Sequence, residues 1–308
     1  MRAAFSDSSV GNNIVETPRR GNLQLLQPRF LREWWSSGCE KASDFDKRLF
    51  MVINAYVDES YAEPRTFALG CALARGMDWF EIARQWKKVI DRKNRELEKT
   101  GRRFVSRYHS SDCNNMRGDF EGWEPPERDA FITELIGIVN KNKICIVGHT
   151  VDLSEVEECF PTRKSNPKRT AFLVLSVLLW KAIGEQARRI HRDPNINVVY
   201  ECGPFNGIGM DSYDALRRSD LLDRVLFRGV SFDDSSVAPL QIADLVAYES
   251  MKEHDRQASG RDRRHSLKAL LKRTAGSGIH VRGEALRRVA KGYWEKVLRE
   301  TLERAEEQ

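Results

Sequence analysis

Three carboxylates stand in apolar stretches of the sequence, where an unpaired charge is costly. Asp58 follows the β-branched and aromatic run VINAYV at the end of a predicted strand. Glu201 ends the similar run NVVYE, and Asp244 lies inside LQIADLVAY, whose residues on both sides of the acid are apolar. A buried carboxyl group is neutralised, pairs with a base or binds a metal ion.

A metal ion is the partner that these three acids favour, because none of the three stretches contains Lys or Arg. Mg²⁺ prefers one or two carboxylates together with waters and substrate phosphates. Two such ions about 4 Å apart can stabilise both the attacking and the leaving oxygen of a phosphoryl transfer. The acids therefore predict a Mg²⁺ or Mn²⁺ site that acts on phosphate esters.

The elements that must position the acids alternate between strands and helices. Period-two and apolar runs predict strands, the third of which continues into a polar loop, at 51–60, 66–75, 103–112, 143–152, 195–203 and 224–232. Helical spacing predicts helices at 78–101, 125–142, 167–191 and 235–253. This order predicts an α/β sheet with helices on both faces and an antiparallel hairpin at its start.

Four motifs in this order, YVDES, YHSSD, VVYE and LQIADLVAY, resemble the domain-of-unknown-function family 3800. The resemblance covers residues 50 to about 255 and implies an RNase H-like fold. By matching position it implies that Asp58, Glu201 and Asp244 are metal-binding acids. It also implies that Glu59 and His109 support them.

The sequence departs from that family at the strand-end acid, which is usually Asp and here is Glu201. Glu is one methylene longer and reaches further, so Asp211 in the glycine-rich stretch GPFNGIGMD is an alternative ligand. That stretch lacks the Lys-Ser/Thr of a P-loop, which argues against nucleotide binding of that type. We interpret it as a loop beside the active site.

The chain divides into three predicted regions: an irregular N-terminal extension (1–49), an RNase H-like domain (50–254) and a basic helical tail (255–308). Between Asp255 and Lys291 there are eleven Lys or Arg residues and three acids. Such a segment suits a phosphate backbone, although a solvated helix is the alternative. The nucleic-acid contacts that we expect are Arg263, Arg264, Lys272 and Arg273.

Composition indicates a soluble, cytoplasmic protein without membrane contact. The net charge of +6 permits a polyanionic partner, and the six cysteines include no CxxC pair, which argues against a zinc ribbon. The most apolar stretch, AFLVLSVLLW, is shorter than the roughly 20 residues of a membrane span and is interpreted as a buried helix. His149 and His191 are interpreted as structural residues.

The leading hypothesis is a Mg²⁺- or Mn²⁺-dependent nuclease that hydrolyses DNA or RNA by a two-metal-ion mechanism. Asp58, Glu59, Glu201 and Asp244 would bind the ions, and His109 would orient the nucleophile or assist proton transfer. One alternative is a catalytically degenerate nucleic-acid- or protein-binding module on the same fold. Another is a phosphotransfer enzyme that acts on nucleotides.

Overall fold

The structure is a computed structural model that describes residues 52–62, 65–142, 144–160, 166–218, 227–272 and 276–289. The predicted N-terminal extension, Arg273 and the end of the predicted tail lie outside these ranges. Everything below concerns the described residues.

A six-stranded mixed sheet forms the centre of the molecule, with the strand order β5-β4-β1-β2-β3-β6. The antiparallel pairs are β1–β2 and β2–β3, and the parallel pairs are β1–β4, β4–β5 and β3–β6. The strands are β1 (Val52–Ala62), β2 (Thr66–Arg75), β3 (Cys145–Asp152), β4 (Asn195–Glu201), β5 (Phe227–Asp233) and β6 (Gly276–Val281).

Helices cover both faces of this sheet, and an apolar core lies on each face. The helices are α1 (Gly76–Lys99), α2 (Ser110–Asn115), α3 (Pro125–Lys141), α4 (Leu153–Cys159), α5 (Pro167–Ile190), α6 (Asn206–Arg218), α7 (Ala238–Ala258), α8 (His265–Leu271) and α9 (Gly283–Val289). The predicted mixed α/β sheet with an initial antiparallel hairpin and helices on both faces is confirmed, and this architecture is consistent with an RNase H-like fold.

Helix α5 contains the apolar stretch AFLVLSVLLW and lies against β2 and β3. It is long and apolar enough to span a membrane, but 83% of its apolar window is buried inside the protein. Its apolar residues, which include Phe172 and Trp180, lie in the core on one side of the sheet. The interpretation of AFLVLSVLLW as a buried helix is therefore confirmed.

The predicted strand at 103–112 is wrong, because this segment pairs with no strand. The amide of Val105 donates to the Asn94 side chain over 2.8 Å, and the amide of Ser106 donates to Asp119 over 2.8 Å. These side chains take the place of a neighbouring strand. The segment then leads directly into α2, which begins at Ser110.

The sequence predicts a helical tail beyond residue 254, but the described part of this region also contains a strand. Strand β6 (Gly276–Val281) pairs in parallel with β3 at the edge of the sheet. A Cβ atom at Gly276 would lie 3.1 Å from the Ile146 side chain, so the small residue fits a tight edge. The sheet therefore extends into the basic region.

Helix α7 lies very close to the sheet because two neighbouring strands present glycines beneath it. A Cβ atom at Gly70 would lie 2.2 Å from the backbone nitrogen of Ala247. A Cβ atom at Gly148 would lie 2.1 Å from the hydroxyl oxygen of Ser250. Gly70 and Gly148 are direct partners across the β2–β3 ladder, and together they leave room for the backbone of α7 and for the Ser250 side chain.

Candidate active site

Asp58 and Glu201 are neighbours because β1 and β4 run in parallel. The last pair of that ladder is Val57 with Tyr200, and each acid is the next residue on its strand. Side chains at equivalent positions of paired strands point to the same face of the sheet. Asp58 is 6% exposed, so its carboxyl group lies almost entirely inside the protein.

Asp244 reaches the same place from α7 and is 7% exposed. The amide of Ser110, the first residue of α2, donates to its Oδ2 atom over 2.6 Å. One turn earlier on α7, Gln241 Oε1 accepts from the amide of Tyr108 over 3.0 Å. These two bonds hold the backbone on either side of His109, which fixes that residue at the site.

The four predicted acids line one cavity of about 450 Å³. It lies at the edge of the sheet where β1 and β4 carry their acids, and α7 forms one wall. Its lining includes all four predicted carboxylates and the predicted histidine together with three other polar residues: Asp58, Glu59, His109, Asn115, Glu201, Asp244, Tyr248 and Lys252. The predicted catalytic and metal-binding residues are therefore brought together around one cavity.

Burial, and then neighbouring carboxylates, raise the pKa of Asp58, Glu59 and Asp244. Burial, and then the charges of Asp244 and Glu201, hold the pKa of Asp58 well above its usual value. Burial and Glu201 raise the pKa of Glu59 to about 7. Burial raises the pKa of Asp244 to about 6, although His109 and the bond from Ser110 act in the opposite direction. The carboxyl groups of this cavity are therefore stabilised by binding either protons or a cation.

His109 forms a pair with Asp112 at the mouth of this cavity. The His109 Nδ1 atom and the Asp112 Oδ2 atom are 2.8 Å apart, and both side chains are partly exposed. An ionised carboxylate can only accept, so beside ionised Asp112 the Nδ1 atom carries the proton. The Nε2 atom of His109 is then the ring nitrogen that can accept one.

Arg107 is a cation that the sequence analysis did not assign to the site. Its Nη1 atom lies 3.9 Å from Glu201 Oε1, and both side chains are partly exposed. The segment before α2 brings it there from a distant part of the sequence. No acid-rich motif surrounds it, so only the tertiary structure reveals this contact.

Asp233 is an acid at the same edge of the sheet that the sequence analysis missed. It is 7% exposed and pairs with Glu201 across the β4–β5 ladder. Its charge, after burial, raises the pKa of the buried Tyr56 hydroxyl. The signal was present, because Asp233 directly follows the strand predicted at 224–232.

Asp211 does not replace Glu201 in the cavity. The stretch expected to be a loop forms helix α6 from Asn206 onward, and Asp211 lies within this helix. It is absent from the residues that line the carboxylate cavity. The amide of Gly203 donates to the side chain of Asn206 over 2.8 Å, which stabilises the turn into the helix.

The predicted nucleic-acid contacts are separated in space. Arg263 and Arg264 line a second cavity, next to the carboxylate cavity. Lys272 is exposed beyond the end of α8 and lines neither of these two cavities, and Arg273 lies outside the described residues.

The two predicted structural histidines lie in different environments. His149 is buried in β3, whereas His191 directly follows α5 and accepts from the amide of Asp193.

The donor set of the carboxylate cavity suits a hard divalent cation. Among the described residues, no three His, Cys, Asp or Glu side chains form a preformed metal site. The cavity nevertheless presents several buried carboxyl groups with raised pKa values. Carboxyl oxygens are the ligands that Mg²⁺ and Mn²⁺ prefer, and a bound cation would relieve the repulsion between them.

No family model matches this sequence, and no curated protein matches it either. The resemblance to the domain-of-unknown-function family 3800 stays a prediction from the four motifs. The residues of the two cavities are therefore the basis for proposing a function.

Proposed function

We propose that this protein is a cytoplasmic, metal-dependent nuclease that hydrolyses phosphodiester bonds of DNA or RNA. The observation that carries the proposal is the convergence of Asp58, Glu201 and Asp244 on one cavity. They come from two strands and a helix of an RNase H-like sheet. The five free cysteines among the described residues support a reducing compartment.

Asp58, Glu201 and Asp244 would hold Mg²⁺ or Mn²⁺, with Glu59 beside them. When bound, the ions supply positive charge at the phosphate and promote the ionisation of water. The chain itself contributes orientation, since the amide of Ser110 fixes one oxygen of Asp244 and leaves the other for a cation. Ligands that are held in this way need little rearrangement to bind.

His109 would act as the proton acceptor. Asp112 holds its Nδ1 atom, which leaves Nε2 to take a proton from the attacking water. The bonds to Gln241 and Asp244 on either side keep the backbone of His109 in place. General base catalysis requires such positioning, because proton transfer needs hydrogen-bond contact with the nucleophile.

A second candidate is a catalytically degenerate nucleic-acid- or protein-binding module. The contact between Arg107 and Glu201 favours this alternative, because an internal cation already offsets part of the negative charge. The longer side chain of Glu201 permits such a contact. Binding without turnover is then the expected behaviour.

Cleavage assays with Asp58→Asn and Asp244→Asn test the nuclease proposal. Substrates are single-stranded and duplex DNA and RNA, with mononucleotides as a further arm, each in Mg²⁺, Mn²⁺ or EDTA. Asp91→Asn is the matched control, because Asp91 pairs with Lys87 on the solvent-facing side of helix α1. We expect both site variants to lose cleavage and to keep binding in EDTA, while the control cleaves normally.

Two results would contradict the nuclease proposal. Site variants that cleave at near wild-type rates would show that the acids do not bind the catalytic ions. A wild-type protein that binds polynucleotides but cleaves none of them with either metal would favour the binding module. Hydrolysis of mononucleotides alone would instead favour the nucleotide phosphotransfer alternative.

A further inference from the structure

A second cavity, of about 320 Å³, has the opposite charge to the carboxylate cavity. We call it the arginine cavity. Four arginines line it: one from α3, one from the end of α7 and two from the turn before α8, namely Arg128, Arg256, Arg263 and Arg264. Asp129 is the one acid in its lining, so its charge is predominantly positive.

Buried carboxylates orient two of these arginines. The Arg264 Nε atom lies 3.1 Å from Glu249 Oε2, and the Glu249 side chain has no exposed surface. The Arg263 Nε atom lies 2.9 Å from Glu253 Oε1, and Glu253 is also buried. A guanidinium has five N–H donors, so a carboxylate at Nε leaves donors on the terminal nitrogens. The arginines are therefore fixed in position before any ligand arrives.

The other two arginines donate hydrogen bonds to backbone carbonyl oxygens, which are neutral. Arg256 Nε donates to the carbonyl oxygen of Asp262 over 2.6 Å, and Arg128 Nη1 donates to that of Asn114 over 3.2 Å. Arg128 also pairs with Asp129, whose side chain is largely exposed. An exposed pair of this kind is weak, so a phosphate can compete with it.

The arginine cavity shares a wall with the carboxylate cavity. Asn115 lines the carboxylate cavity, and Asn114, the preceding residue, lines the arginine cavity. Arg264 Nη2 donates to Asn114 Oδ1 over 2.7 Å. The Arg264 guanidinium also lies 5.6 Å from the centre of the Tyr248 ring, which lines the carboxylate cavity. One extended ligand can therefore contact both cavities.

A phosphate strand needs such a second contact. In the absence of cations the carboxylates repel a phosphate, and ions held by Asp58, Glu201 and Asp244 would neutralise the carboxylates without leaving a large positive excess. Arginines recognise phosphate oxygens through paired N–H groups, with both charge and geometry. The arginine cavity can therefore supply affinity, while the carboxylate cavity supplies chemistry.

We propose that the arginine cavity binds a phosphodiester of the same polynucleotide strand whose scissile phosphate enters the carboxylate cavity. The entry of the same strand into the carboxylate cavity rests on the proposed function, whereas phosphate binding in the arginine cavity does not. The substrate is then a polynucleotide that extends beyond the scissile bond. Phosphodiesters are common to DNA and RNA, so both serve as probes.

Binding in EDTA tests this proposal separately from cleavage. The probes are fluorescein-labelled DNA and RNA oligonucleotides without terminal phosphates, measured by anisotropy over a range of salt concentrations. The variants are Arg256→Gln and Arg128→Gln, and Arg261→Gln is the matched control. Arg261 lies in the turn after α7 and carries the same charge, but it does not line the arginine cavity. Arg263 and Arg264 are kept, because their loss would leave the buried Glu253 and Glu249 without their cations.

We expect each cavity variant to weaken binding about tenfold and the control to change it by less than about twofold. Each cavity variant should also flatten the slope of log affinity against log salt by about 0.7–0.9, the value for one lost phosphate contact. Equal effects of all three variants would show that only diffuse charge attracts the strand. That result, or no effect of the cavity variants, would overturn the proposal.

A single neutral methylphosphonate, moved along the oligonucleotide, locates the contacted phosphate. We expect one linkage to weaken wild-type binding and to have no further effect in Arg256→Gln. Equal losses at every linkage would overturn the proposal. These binding results do not depend on Asp58 or Asp244, so a failure of the nuclease proposal is recognised separately by the cleavage assays.

Discussion

Asp58 and Gly70 are direct partners across the β1–β2 ladder, and the missing side chain of Gly70 lets α7 approach the sheet at this point. A Cβ atom at residue 70 would lie 2.5 Å from the carbonyl oxygen of Ala243 and 2.2 Å from the nitrogen of Ala247. Asp244 lies between these two residues in the sequence. The glycine therefore determines how closely the helix acid approaches the strand acid.

Gly70→Ala should separate α7 from the sheet. The new methyl group overlaps helix backbone, which cannot rotate away, so we expect a loss of about 1–3 kcal/mol in the free energy of unfolding. The rate of metal-dependent cleavage should fall by more than the loss of folded protein explains, because the acids move apart. Urea unfolding and cleavage rates measure the two effects.

Gly137→Ala is the control for this variant. Gly137 lies in helix α3, and a Cβ atom there would meet nothing within 4 Å. We expect it to stabilise the protein by about 0.5–1 kcal/mol, as alanine does in a helix. If Gly70→Ala behaved like Gly137→Ala, the close approach of α7 would have no functional importance.

Asp244→Asn should raise the melting temperature of the metal-free protein at pH 7. The carboxylates of the cavity repel one another by an amount on the order of 1–3 kcal/mol. The amide removes one charge and still accepts the bond from Ser110. For each kcal/mol we expect a rise of about 2–4 °C, measured by thermal melts in EDTA.

Millimolar Mg²⁺ should then raise the melting temperature of the wild type much more than that of Asp244→Asn. Binding to the native state alone stabilises it by mass action, and the variant lacks one ligand. A variant that melts lower than the wild type in EDTA, with equal responses to Mg²⁺, would contradict this prediction. Asp244 would then be a structural acceptor for the Ser110 amide.

His109→Gln should lower the turnover number by about 10²-fold or more, the usual contribution of general base catalysis. Asp112→Asn should lower it less, because it only loosens the orientation of the His109 ring. Polynucleotide binding in EDTA should stay unchanged in both. Equal turnover of His109→Gln and the wild type would remove His109 from the mechanism.

His149→Leu should make stability less sensitive to acid. Burial lowers the pKa of His149 to about 4, whereas the ordinary value is 6.5. Between these pH values the unfolded chain binds more protons than the native protein, so stability falls as the pH falls. At about 1.4 kcal/mol per pH unit, this group accounts for up to about 3 kcal/mol.

The measurement is urea unfolding of the wild type and the variant at several values between pH 7 and pH 4. Only the difference between the two proteins is used, since the carboxylates also titrate in this range. His149→Gln is a second variant that keeps polarity without a titrating group. If neither variant changed the slope of stability against pH, protonation of His149 would not contribute to acid unfolding.

The sequence alone predicts the features that depend on local pattern. Alternating strands and helices predict the mixed α/β sheet, and the apolar run in α5 predicts a buried helix. Asp58 and Asp244 are recognisable as buried because Asp58 follows an apolar run and Asp244 lies within one. The hydrophobic effect acts on these short stretches directly, so their periodicity and composition carry the information.

Only the tertiary structure decides which residues meet. Ser110 and Asp244 are 134 positions apart in the sequence, and Arg264 and Asn114 are 150 positions apart. Neither contact has a local signature, and the same holds for Arg107 beside Glu201. Strand β6 was missed because its short glycine-containing stretch becomes a strand only beside the open edge of β3. Such features depend on strand order and on how closely backbones approach, which are set by packing between distant segments.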